Sequence, residues 1–172
     1  MTPQVRLEWE GKRVASLPPA PALLAQEEYR LRPGDGPADR LIQGDNLAVM
    51  AALRESLCGQ IALIYLDPPF FTGMDRQAAV GEGKVAPAYT DEWQGDLSVY
   101  LQWLYDRFSV ARELLREDGC LYVHLNWRAA HYAKLLLDEI FGTARFQNEI
   151  AWCYREAINA RKRWNRKHDT LL

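Results

Sequence analysis

Apolar residues are distributed along the chain in two distinct ways. From residue 61 to 66 they form an almost unbroken run, IALIYL, with no alternation, which predicts a parallel strand covered on both faces. In SVYLQWLYDRFSVARELLRE they instead recur at helical spacing, through Leu101, Leu104, Phe108, Ala111 and Leu115, and Gly119 is expected to close that helix. GCLYVHLN predicts a second buried strand, RAAHYAKLLLDEIF an amphipathic helix stopped by Gly142, and FQNEIAWCY a further strand. Upstream, RLIQGD (40 to 45) reads as a short strand, with Asp45 placed to cap a helix that carries Leu47, Met50, Leu53 and Leu57 on one face.

Strands alternating with helices predict an α/β domain with a largely parallel sheet and right-handed connections. Ligands of such sheets bind beyond the carboxyl ends of the strands. Asp67 to Phe70 fall at one such end and His124 to Asn126 at another. Two segments lack a sustained period. Residues 16 to 40, rich in proline, glycine and aspartate, predict an extended arm, and residues 71 to 97 predict a mobile loop beside the site. The division is therefore an arm over residues 1–39 and a folded unit over 40–172.

Composition narrows the setting. The 172 residues are 48% apolar, enough for one domain with a substantial core, and the net charge of -2 means that any nucleic-acid contact must come from a local patch. The three cysteines, Cys58, Cys120 and Cys153, are odd in number and widely spaced, which argues against a disulfide framework or a zinc site and fits a reducing cytoplasm. No targeting segment and no membrane span is expected.

The apolar run 61–66 ends in Asp67-Pro68-Pro69-Phe70, a carboxylate and two residues that cannot continue a central strand. That combination suits one chemistry. An exocyclic amine of a nucleobase is a poor nucleophile because its lone pair is delocalised into the ring. A carboxylate accepting one N–H and a backbone carbonyl accepting the other draw the nitrogen toward tetrahedral geometry as it attacks an electrophilic methyl group. Asp67 offers the carboxylate and Pro68 the carbonyl. The prolines stiffen the turn, and Phe70 offers a face for a base taken out of the duplex.

DPPF resembles the fourth motif, D/N/S-P-P-Y/F, of amino-methyltransferases acting on adenine N6 or cytosine N4 of DNA. LIQGDNLAVMAAL, IALIYLDPPFFTG, YTDEW, DRFSVARELLREDGCLYVHLNW, HYAKLLLDEIFG, FQNEIAW and KRWNRKHDTLL extend the resemblance over nearly everything from residue 40, as does LEWEGK near the start. The chain is similar to the N-terminal half of beta-class enzymes, in particular the modification subunits of type III restriction systems. The resemblance implies a partial Rossmann-like methyltransferase fold, mostly parallel with flanking helices, and S-adenosylmethionine as methyl donor. It also implies Asp67, Pro68, Pro69 and Phe70 as catalytic residues, Asp45 and Asp67 beside the cofactor, no metal, and adenine favoured over cytosine. The family's glycine-rich F-x-G-x-G loop has no counterpart in this sequence. The chain is thus expected to be a catalytic half that ends at HDTLL before the target-recognition region, inactive alone, with DNA, a restriction subunit or a complementing half as partners. The alternative is a non-catalytic remnant that binds nucleic acid or a partner subunit.

Other residues carry weaker signals. Asp45 is explained as a helix cap as readily as by a cofactor, and His124, inside an apolar strand, reads as a core or edge histidine ahead of a general base. Tyr100, Trp103, Tyr105 and Phe108 read as core or half-buried surface. The basic run from Arg155 through Arg161, Lys162, Arg163, Arg166 and Lys167 to His168 is expected to contact DNA phosphates, with Phe71 added from beside the catalytic motif.

Overall fold

The computed structural model describes residues 6–24, 39–74, 76–79, 85–89, 91–93, 96–155, 162 and 164–172. Helix α1 spans Asn46–Leu57 and strand β1 Ile61–Leu66; β2 (Arg76–Ala79) and β3 (Val85–Tyr89) form a hairpin. Helix α2 (Leu97–Leu114) runs directly into β4 (Leu115–Leu125), followed by α3 (Ala130–Phe141), β5 (Ile150–Cys153) and β6 (His168–Leu171).

The main sheet has the order β1-β4-β6-β5. Strands β1 and β4 are parallel, with Tyr65 opposite Tyr122 and Leu66 opposite Val123. Strand β6 is antiparallel to both β4 and β5, so β1, β4 and β5 all run one way and β6 alone is reversed. The α/β class is as expected, but the sheet is mixed rather than mostly parallel: β1–β4 is its one parallel pairing among the described strands, and both antiparallel pairings come from one strand, His168–Leu171, that the apolar pattern did not announce. Its sequence, HDTL, has too little apolar character to signal a strand.

Four local expectations change. Residues 40 to 45 form no strand, and Leu41 is fully exposed. The segment 71–97 contains the β2–β3 hairpin rather than only irregular chain. Strand β1 is not covered on both faces: its Leu66 side packs on the core, while Leu63 and Tyr65 are 57% and 51% exposed. Gly119 does not close α2, which ends at Leu114; it lies within β4, at the irregularity where the register jumps from Ile61 opposite Leu115 to Leu63 opposite Cys120. A Cβ on Gly119 would sit 2.9 Å from the Ile61 carbonyl oxygen and 3.1 Å from that of Arg116, so glycine is needed for close approach of two backbones.

The core lies between the sheet and helices α2 and α3. Tyr100, Leu104 and Phe108 of α2 meet Val123 and Leu125 of β4 and Ala133 and Leu136 of α3, all fully buried. The small alanines let α3 approach closely. Asp96 caps α2 by accepting from the Ser98 and Val99 amides, and Gly142, with φ of 90°, ends α3 as expected. The described part of the arm is fastened to these helices. Lys12 Nζ lies 2.7 Å from Glu139 of α3, Arg13 Nη2 lies 2.7 Å from Asp106 of α2, and Trp9 packs edge-on against Tyr105. No helix among the described residues is long and apolar enough to cross a membrane.

Gly119→Ala is expected to destabilise the fold by about 1–3 kcal/mol, since the added methyl meets backbone oxygens that cannot swing away. Urea denaturation measures it; an unchanged midpoint would contradict the close approach.

Candidate active site

The parallel pairing of β1 and β4 brings Asp67 to Phe70 and His124 to Asn126 to one rim of the sheet. Asp67 is 62% exposed there, and its carboxylate accepts no hydrogen bond from any described residue. The imidazole of His124 lies beside it, with Nδ1 3.7 Å from Oδ1. Among the described residues no arginine neutralises it. The Phe70 ring is half-buried, edge-on to the His124 ring at a centroid distance of 5.4 Å. Asp67 and Pro68 also border a cavity of about 40 Å³, too small for a base. An amine therefore has access to Asp67 only from the open, solvent side.

The turn itself is held from behind. Tyr100, fully buried, donates its hydroxyl to the Pro69 carbonyl at 2.7 Å, which leaves the Pro68 carbonyl unengaged by the described residues. Burial, and then the charge of Asp91, push the Tyr100 phenol well above its usual range, so it stays a donor throughout the neutral region. Asp91 is itself 1% exposed. Its Oδ1 accepts from the Phe71 amide and the Trp93 indole, both at 3.0 Å, and its Oδ2 accepts from the Thr72 amide at 2.8 Å and hydroxyl at 2.6 Å. Phe71 has φ of 57°, a left-handed conformation unusual for a bulky side chain. Its ring packs on Tyr100 at 5.0 Å.

Asp45 caps α1 as expected: Oδ1 accepts from the Ala48 amide at 3.0 Å. Its other oxygen accepts from Arg107 Nη2, also at 3.0 Å. Arg107 is almost fully buried, bonds Asn46 Oδ1 at 2.6 Å, and lies flat over Trp103 at 3.6 Å. Burial pulls its pKa down to about 10 against the opposing pull of Asp45 and Asp106, so it is cationic at neutral pH. Asp45 keeps 62% of its side chain exposed at the edge of a hollow of about 730 Å³ that Trp103, Arg107, Ser98 and Asp96 also line. Arg107 and Trp103 border the small cavity at Asp67 as well, so the two carboxylates flank one shared wall.

The reversed strand β6 brings the basic run to the same rim. His124 lies opposite Leu171 and Leu125 opposite Thr170, so residues before Asp169 project past the carboxyl end of β4. Arg166 stacks over Trp127 at 3.3 Å, and Arg128 approaches the same ring at 4.6 Å. Lys162, Arg166 and His168 are exposed and Lys167 is half-buried; Arg161 and Arg163 lie outside the described residues. Phe71 sits against Tyr100 rather than displayed with them.

Sequence reasoning gave no role to Asp91, to the Tyr100 hydroxyl or to Arg107. Tyr100 was expected in the core and is there, but its hydroxyl also reaches the turn. The available signal was Asp91 in YTDEW, a carboxylate beside an indole at the end of an irregular segment. His124, read as a core or edge residue, is mostly buried between Tyr65, whose hydroxyl is 3.1 Å from Nδ1, and Asp169, 3.6 Å from Nε2. Among the described residues no group of three or more His, Cys, Asp or Glu side chains could hold a metal ion.

Comparison with known proteins agrees with this geometry. Residues 61–172 match the N6_N4_Mtase family model, described as DNA methylase. The chain is 31% identical over 170 residues to the Mod subunit of the type III restriction-modification enzyme EcoP15I of Escherichia coli, covering 85% of this chain and 26% of that protein. It is 30% identical over 164 residues to the EcoPI Mod subunit of Escherichia phage P1, covering 81% and 25% respectively. Over 88 residues it is 40% identical to the type II methyltransferase M.EcaI of Enterobacter cloacae, covering 51% and 18%. The chain thus spans about a quarter of the length of the Mod subunits it matches. With an open carboxylate on a Pro-Pro-Phe turn at the sheet rim, and a family match running from that strand through β6, the chain belongs to the DNA methylase family.

Proposed function

We propose that this chain is the base-binding, catalytic part of a site-specific DNA methyltransferase acting on an exocyclic amine, adenine N6 ahead of cytosine N4. The observation that carries the reading is Asp67: a solvent-open carboxylate that no arginine or lysine among the described residues neutralises, at the end of strand β1 on a turn stiffened by two prolines. Asp67 accepts one amine hydrogen and the Pro68 carbonyl the other, both oriented before the base arrives. As the nitrogen attacks, Asp67 stabilises the positive charge that develops on it. Phe70 stacks on the base.

S-adenosylmethionine, when bound, supplies the electrophilic methyl group. The residues present fit its adenosine end: Asp45 presents an exposed carboxylate, fixed by Arg107, at the edge of a hollow large enough for a nucleoside. The glycine-rich segment for its other end is supplied from outside this chain, by the same protein or by a complementing half. Strand β1 favours this reading, because among the described residues it pairs on one side only and its Leu63 and Tyr65 stand open. Without that segment the chain is inactive. DNA is held by Lys162, Arg166, Lys167 and His168 together with Arg161 and Arg163, while Phe71, packed on Tyr100, is left out of that surface, and a restriction subunit is a partner of the complete protein. The three free, exposed cysteines suit a reducing cytoplasm.

In the complemented protein, Asp67→Ala is expected to abolish transfer of a labelled methyl group to DNA while leaving circular dichroism unchanged; retained transfer removes Asp67 from the chemistry. Phe70→Tyr is expected to be tolerated, whereas Phe70→Ala costs about 1–3 kcal/mol of base binding. DNA binding is expected to fall steeply with salt, and Arg166→Ala to lower the slope of log K against log salt by about 0.9. A slope unaffected by that substitution would remove Arg166 from the phosphate contacts.

A further inference from the structure

We propose that Asp91 is the positioning residue of the catalytic turn, an inference that rests on the base-binding role of Asp67 to Phe70. Asp91 stands at the far end of the excursion that leaves the turn at Thr72 and forms the β2–β3 hairpin. By bonding the Phe71 and Thr72 amides it closes the base of that excursion against the turn itself.

Three features separate this carboxylate from an ordinary structural one. First, it is buried with no cation against it among the described residues: the donors from these that reach it are two amides, a hydroxyl and an indole. Burying an anion so is costly unless every lone pair is used. Only an ionised carboxylate is acceptor-only at both oxygens, so asparagine, of the same shape, would turn an NH2 group toward two donors. Second, its two backbone donors are Phe71, in the left-handed region, and Thr72. Such a conformation is strained for a bulky side chain and persists only where its surroundings over-determine it. Third, Phe71 directly follows Phe70, and Tyr100 grips the carbonyl of Pro69 from the same side. The turn is therefore pinned on both sides of the stacking ring while Asp67 and the Pro68 carbonyl stay open. Asp91 itself touches neither base nor cofactor and acts through the backbone.

Asp106 supplies the control. It is also buried, at 4% exposure, but accepts from Arg13, the Ser16 amide and Gln102 and from no amide of the turn among the described residues. Amide hydrogen exchange is measured by NMR on the 172-residue chain, with Leu104 and Val123 as core reporters. Asp91→Asn is expected to speed exchange at Phe71 and Thr72 at least tenfold relative to those reporters, and Asp106→Asn is not. Thr72→Val, which removes one donor only, is expected to give a smaller change in the same amides and serves if Asp91→Asn fails to fold. In parallel, 9-methyladenine is titrated and followed at the Phe70 ring. Its affinity is expected to drop about tenfold in Asp91→Asn with core exchange unchanged, and to hold in Asp106→Asn. Equal exchange at Phe71 and Thr72 in wild type and both turn variants would overturn the positioning role, as would unweakened 9-methyladenine binding in a folded Asp91→Asn. Absence of 9-methyladenine binding in the wild type, with the exchange difference present, would instead count against the base-binding reading on which the inference rests.

Discussion

The parallel pairing of β1 with β4 is the constraint on which the site depends. Because the two strands run the same way, the residue after Leu66 and the residues after Val123 emerge at one rim, and the open carboxylate of Asp67 comes to lie beside His124. A parallel pair requires a crossover, and α2, entering β4 without an intervening loop, supplies it. The absence of slack explains the glycine inside β4: two backbones meet where any side chain would collide. Reversing β6 then returns the chain to the rim with its basic residues leading.

A weak nucleophile needs acceptors that are already in place, and in the proposed chemistry the turn would supply them through unequal treatment of its own polar groups. The Pro69 carbonyl is spent on Tyr100 and the Phe71 and Thr72 amides on Asp91, whereas the Asp67 carboxylate and the Pro68 carbonyl accept no hydrogen bond from the described residues. Rigidity comes from buried groups behind the turn, and openness from the exposure of Asp67 in front. On the neighbouring wall Arg107, flat on Trp103, holds Asp45 in the same manner, fixed on one side and exposed on the other.

Where side chains repeat at a regular spacing the sequence was readable. Leu101, Leu104 and Phe108 marked α2, and IALIYL marked β1 with the site at its end. DPPF stood out in the sequence because a carboxylate and two prolines have no packing reason to terminate an apolar strand, and the structure places it at the sheet rim with Asp67 exposed. Three things were not legible. HDTL is too polar to read as a strand, and only its partners β4 and β5 make it one. RLIQGD has strand-like residues but finds no neighbour among the described residues, since pairing is a property of two segments and not of one. Asp91 is separated by about twenty residues from the turn it holds, a contact with no local period to betray it.

The central claim is that Asp67 and the Pro68 carbonyl each hold one hydrogen of a base amine. The most direct measurement is NMR of 9-methyladenine labelled with nitrogen-15 at N6, bound to this protein. The account requires both amino protons to move downfield on binding, with one of the two shifts lost in Asp67→Ala and the other retained. Amino protons that stay at their free positions while the ring binds at Phe70, or shifts indifferent to Asp67, would contradict it.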